Sequence, residues 1–134
     1  MSYILDQAQL DGLENALTAD LMSLGVQSVI LIDMAGNVIV NLDDGKVRHD
    51  VYSLAALAAG NFGAVNAMAS IIGEEEFSLL FHKGKTENIN FTKIMDDFLL
   101  VSIFGNDVSL GYLRLKIDEV IVKIKALIGR METV

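Results

Sequence analysis

The chain has 134 residues, no cysteine, two histidines and a formal charge of −8. Disulfides and thiolate metal sites are excluded, and the acidic balance argues against nucleic acid and anionic membrane surfaces. The length fits one domain over 1–134, able to bury roughly two thirds of its unfolded surface without staples.

The start, MSYILDQAQLDG, lacks a basic segment followed by an apolar run. It therefore does not read as a signal peptide, and a cytoplasmic protein is expected. Asp6 with Gln9 three residues on resembles a capping box. Leu10, Leu13, Leu17, Leu21 and Leu24 then recur at helical spacing, and Gly25 suits the left-handed position that ends a helix.

Val26 to Ile32 and Val38 to Leu42 are β-branched, apolar runs. Asp33-Met34-Ala35-Gly36-Asn37 between them carries turn chemistry, so the pair reads as a hairpin. Asp43-Asp44-Gly45 ends it, Lys46 to His49 is a loop, and Asp50 is placed to cap the next helix.

Val51 to Ile72 contains no charged residue. Its length would also suit a membrane span. Against a span, Asn61 and Asn66 would sit at membrane depth, the bulk is Ala and Gly, and Gly73 is followed by Glu74, Glu75 and Glu76 rather than basic residues. Membrane insertion is not expected. Two coverings remain, since a helix apolar all round is buried all round. The helix lies wholly within its own fold, or it shares one face with a second copy.

Val51, Leu54, Ala58, Phe62, Val65, Met68 (or Ala69) and Ile72 form a stripe for a sheet. Ala56, Ala59, Gly60, Gly63, Ala64 and Ala67 form a small-residue surface. A glycine inside a helix costs roughly 1 kcal/mol relative to alanine, so Gly60 and Gly63 point to a closely approaching backbone. A helix of a second copy is the simplest one, with close packing on the chain's own sheet as the alternative.

Three strands follow. Glu76 to His82 is apolar and turns at Lys83-Gly84-Lys85. Thr86 to Ile94 alternates, with Ile89 and Phe91 on one face and Asn88 and Asn90 on the other. Asp96-Asp97 turns again, and Phe98 to Phe104 is a near-continuous apolar strand of the kind found mid-sheet. After Gly105-Asn106-Asp107, Asp107 or Ser109 caps a last helix with the stripe Leu110, Leu113, Ile117, Val120, Ile124 and Leu127. Arg114, Lys116, Lys123, Lys125 and Arg130 read as a solvated cationic face. Tight turns imply antiparallel pairing. The order is α-β-β-α-β-β-β-α, an α+β fold with a five-stranded antiparallel sheet.

Three stretches, GVQSVILIDMAGNVIV, LAALAAGNFGAVNAMA and FGNDVSLGYLRLKI, give the chain a further likeness. In these, and in element order over nearly its whole length, it resembles the roadblock/dynein light chain domain. It is closest to stand-alone bacterial members, which are often partners of Ras-like small GTPases. The resemblance implies a profilin/roadblock-like sheet of order 2-1-5-4-3. It also implies a homodimer in which central helices pack and third strands pair, with the first and last helices on the opposite face.

No phosphate-binding loop is present, and Gly60-Asn61-Phe62-Gly63 lies in a helix whose amides are already used. His49 and His82 are isolated and read as surface residues. Glu74-Glu75-Glu76 reads as a solvated run and Asp96-Asp97 as turn chemistry. No acid–base pair or activated nucleophile stands out. The expectation is a non-enzymatic protein without nucleotide, metal or other cofactor.

The resulting expectation is a homodimeric regulator or scaffold that binds a Ras-like small GTPase and modulates its hydrolysis. Leu57, Gly60, Ala64, Met68, Phe77 and Leu79 would form the dimer contact. Tyr52, Ala56, Asn61, Asn66 and Ser70 would face the GTPase. The central helix has no arginine, and Arg48 is the nearest, so activation would reposition the partner's own groups rather than insert an arginine finger. The alternative is a PAS- or GAF-like small-ligand sensor, disfavoured because the sheet-facing positions are bulky and apolar with no polar group clearly pointing inward.

Overall fold

The computed structural model describes residues 5–46, 49–74 and 80–129. The elements run α1 (Gln7–Asp20), a 3-10 turn (Met22–Leu24), β1 (Ser28–Asp33), β2 (Val38–Asp43), α2 (Val51–Ile71), β3 (Leu80–Lys83), β4 (Glu87–Ile94), β5 (Phe98–Gly105) and α3 (Leu110–Gly129). The five strands form one sheet of order β2-β1-β5-β4-β3, and all its pairings are antiparallel. This is the α+β order expected from the sequence.

The helix ends follow the local chemistry. The Asp6 carboxylate accepts from the Gln9 amide at 2.8 Å, and the Gln9 side chain accepts from the Asp6 amide at 3.0 Å. These bonds satisfy donors that the first turn leaves open. Gly25 does adopt the left-handed conformation, but it closes the 3-10 turn after α1 rather than α1 itself. Ser109, not Asp107, faces the start of α3, its hydroxyl accepting from the Tyr112 amide at 3.4 Å.

β1 and β5 lie at the centre, buried on both faces. Val29 and Leu31 of β1, with Leu100 and Phe104 of β5, join Leu13 and Leu17 of α1 and Leu113, Ile117, Val120 and Ile124 of α3 in one core. Ile30, Ile32, Leu99 and Val101 point the other way, against Ala55, Ala58, Ala59 and Phe62 of α2. Strand alternation thus splits the apolar side chains between two layers. The Asp20 carboxylate, nearly buried at the end of α1, lies 2.9 Å from Lys123 Nζ of α3 and ties the two helices together.

One expectation is corrected. β4 alternates as read from the sequence, with Ile89 and Phe91 in the α2 layer, but Asn88 and Asn90 on its other face are buried, with Thr92 and Ser102. Asn90 Nδ2 donates to Thr92 Oγ1 at 3.1 Å, and Asn88 Nδ2 donates to the Phe104 carbonyl at 3.3 Å. Polar groups therefore do point inward. The third strand is seen only from Leu80, so Phe77 and Leu79 lie outside the described residues.

The β1–β2 turn is held by Asp33. Its carboxylate accepts from the amides of Ala35 and Asn37 at 3.0 and 2.9 Å and from Asn37 Nδ2 at 2.9 Å. Partial burial pushes the Asp33 carboxyl up, but these hydrogen bonds outweigh it and hold the group below its ordinary value of 3.8. A carboxyl depressed on folding contributes stability above its unfolded pKa and loses it as pH falls through the lower folded value. Asp33→Asn should therefore narrow the difference in unfolding free energy between pH 7 and pH 3, as read from urea titrations.

Gly36, in the same turn, has φ +90, and a Cβ there would lie 3.0 Å from the Ala56 Cα of α2. Gly36→Ala combines left-handed strain of about 1–2 kcal/mol with a contact against helix backbone. It should lower the urea midpoint accordingly, whereas Gly45→Ala, equally left-handed but in open space, should show the strain alone.

Candidate protein interface on the central helix

α2 is capped by Asp50, whose carboxylate accepts from the Ser53 amide at 3.2 Å and from the Ser53 hydroxyl at 2.8 Å. The helix meets the sheet along one face only. Ala55, Ala58, Ala59, Phe62 and Ala69 are buried, and Val51, Leu54 and Val65 are half-buried beside them. The sheet-facing stripe therefore runs through Ala69. Met68 and Ile72, its alternative and its last expected member, are exposed. Ala59 belongs to this buried face as well, not to the small-residue surface.

The opposite face is exposed and apolar. Leu57 is 72%, Met68 55% and Ile71 83% exposed. Gly60 and Ala64 lie between them and are exposed too. At about 100° per residue, Leu57, Gly60, Ala64, Met68 and Ile71 share one side of the helix. A Cβ added at Gly60 or Gly63 would meet nothing within 4 Å. Among the described residues no contact thus accounts for either glycine.

The residues expected to face a GTPase do not form one surface. Tyr52, Ala56 and Ser70 are exposed on a third side of α2, with Tyr52 at 77%. Asn61 is exposed on the Leu57–Met68 side. Asn66 is half-buried on the sheet side, and its Oδ1 is buried without a hydrogen-bond partner. Asn61 and Asn66 point about 140° apart, as their five-residue spacing on a helix requires. Arg48 lies outside the described residues.

Beside the start of α2 the same side of the sheet holds a pocket of about 510 Å³. It is lined by His49, Asp50, Leu54, Leu57, Glu87, Ile89 and Ile103. The floor is aliphatic and the rim polar. His49 is not a plain surface residue: its Nε2 is buried, 3.6 Å from Glu87 Oε2. His82 is exposed on β3, edge-on to Phe91 at 5.6 Å. Among the described residues no three of His, Asp and Glu converge as metal ligands. α2 is long and apolar enough to cross a membrane, with 22% of its most apolar window buried, but in this fold its buried face lies on the sheet.

A three-helix, five-stranded sheet of this order places the chain in the profilin-like α+β class. The Roadblock/LC7 domain model matches residues 15–104, and the chain belongs to that family. Among solved structures it is similar to MglB of Myxococcus xanthus, with 27% identity, a TM-score of 0.89 and 98% of each chain covered. It is also similar to the gliding protein MglB of Thermus thermophilus, with 24% identity and a TM-score of 0.86, covering 96% of this chain and 97% of that one. Profilin II of Acanthamoeba castellanii shares the fold at 16% identity and a TM-score of 0.59, covering 87% of this chain and 96% of that one. A search of the curated proteins finds no match.

Gly60→Leu gives a sign test of what covers this face. In an isolated chain the substitution meets open space and gains about 1 kcal/mol of helix propensity. In a close helix crossing it overpacks by about 1–3 kcal/mol. The variant should raise the self-dissociation constant at least tenfold in sedimentation equilibrium while leaving thermal stability of the monomer unchanged or higher.

Proposed function

We propose that this protein is a self-associating, non-catalytic regulator of a Ras-like small GTPase, with α2 as its working surface. One observation supports the reading above all. An uncharged helix of 21 residues presents Leu57, Gly60, Ala64, Met68 and Ile71 to solvent on the side away from its buried face. Each large side chain there gains roughly 1.5–3 kcal/mol on full burial, and a two-fold contact uses each one twice. That competes with the cost of association, about 4–15 kcal/mol.

The dimer contact in this reading is Leu57, Gly60, Ala64 and Met68, extended by Ile71 and continued along the third strand through Phe77 and Leu79. The GTPase surface is the third side of α2, with Tyr52, Ala56 and Ser70. Tyrosine supports that assignment, being enriched among binding anchors. Asn61 falls to the dimer contact and Asn66 to the margin between α2 and the sheet. The partner class follows from the family likeness, since stand-alone bacterial members often accompany Ras-like GTPases. A soluble, cytoplasmic setting belongs to the same reading.

The experiment is capture of a candidate GTPase, loaded with a non-hydrolysable GTP analogue or with GDP, followed by hydrolysis rates. Tyr52→Ala should weaken capture by tenfold or more without changing the self-association constant. Stimulated hydrolysis should survive Arg48→Ala. Its loss with binding intact would show an arginine finger, typically worth a factor of about 10³–10⁵ in rate, in place of repositioning. Unchanged capture by Tyr52→Ala would put the partner on another face.

A further inference from the structure

We infer that one water molecule is held between Asn88, Asn90 and Ser102, inside the layer formed by α1, α3 and the sheet, as a fixed part of the fold. These side chains are 3%, 0% and 0% exposed. Asn90 is directly opposite Ser102 on β5, and Asn88 is opposite Phe104. Phe104 belongs to the core under α1 and α3, so all three side chains are on that face. Each ends in a buried oxygen without a hydrogen-bond partner: Asn88 Oδ1, Asn90 Oδ1 and Ser102 Oγ. A buried polar group left unpaired bears its full desolvation penalty.

The bonds that the two amides do make turn these oxygens toward one point. Asn90 Nδ2 donates to Thr92 Oγ1 at 3.1 Å, two residues further along β4. Its oxygen, on the other side of Cγ, is turned back toward Asn88. Asn88 Nδ2 donates to Asn106 Oδ1 at 3.1 Å and to the Phe104 carbonyl at 3.3 Å. Asn106 follows Gly105, which pairs with Glu87, so it lies past Asn88 in the opposite direction. The Asn88 oxygen is thereby turned toward Asn90. Alternate residues of a strand are about 7 Å apart, and directly opposite Cβ atoms about 5 Å. One small molecule spans that gap.

The donor set selects the occupant. Both amide oxygens can only accept, and the Ser102 hydroxyl is free to donate. The occupant therefore donates two hydrogen bonds and accepts one. Water does this, and about three bonds is usual for a buried water. The rings beside the row, Phe81 opposite Asn90 on β3 and Phe104 stacked on it at 6.1 Å, supply no donor. A cation would add a charge with nothing to offset it, because Asp20, the buried acid among the described residues, is already paired with Lys123. The water ties β4 to β5 beneath the strand whose other face gives Glu87 and Ile89 to the pocket.

The test is water-selective NOE and ROE spectroscopy of the whole chain labelled with nitrogen-15. Cross-peaks of opposite sign in the two spectra are expected from water to the side-chain amides of Asn88 and Asn90. That pattern marks a held water rather than proton exchange. In Ser102→Ala the cross-peaks should persist. One of the three bonds is then gone, so the residence time, read by oxygen-17 relaxation dispersion, should shorten at least tenfold.

Loss of every such cross-peak in folded Ser102→Ala would show that they were relayed by a Ser102 hydroxyl bonded directly to Asn90, and would overturn the inference. Their absence from the unmodified protein would overturn it as well. Movement of the Asn88 and Asn90 side-chain signals on exchanging sodium for potassium would show a bound cation in place of water, with the same consequence.

Discussion

The packing of α2 against the sheet by one face only is the constraint on which the rest depends. Ala55, Ala58, Ala59 and Phe62 meet Ile30, Ile32, Leu99 and Val101. The alanines let the helix sit low on the sheet, and Gly36 lets the β1–β2 turn pass beneath Ala56. Having no charged residue, the helix then has no side suited to water. On α1 the face away from the core carries acids, and on α3 it carries acids and lysines with Leu115 and Val122 exposed among them. On α2 it carries Leu57, Gly60, Ala64 and Met68.

The opposite layer explains why α2 is free to act as a surface. α1 and α3 with their side of the sheet hold the larger core, and the Asp20–Lys123 pair joins the two helices across it. The apolar stripe of α2 can therefore be given over to contacts outside the chain. Asn88, Asn90, Thr92 and Ser102 place a polar row within the larger core. Their amides bond locally to Thr92 and to the Phe104 carbonyl, which suits a fixed packing of β4 on β5.

Much of this was legible in the sequence, for identifiable reasons. Leu10 to Leu21 and Leu113 to Ile124 stand out because polar residues separate their stripes, so only one phase fits a helix with one buried face. The Asp33–Asn37 turn was legible because its side chains can bond only their own backbone. α2 was legible as a helix but not in its phase. With apolar residues on every side several stripes fit, and the choice of Met68 over Ala69 and the placing of Ile72 both depended on it. β4 was legible in its alternation but not in the burial of its polar face, because the helices that cover that face come from other parts of the chain. The pocket was not legible at all, since it joins His49 and Leu54 to Glu87, Ile89 and Ile103, residues brought together by strand order.

The central claim is that the uncharged face of α2 is covered by a second copy. Multi-angle light scattering of the unmodified protein at micromolar concentration tests it most directly. The account predicts twice the chain mass of 14.6 kDa. A single-chain mass persisting as the concentration is raised would contradict it.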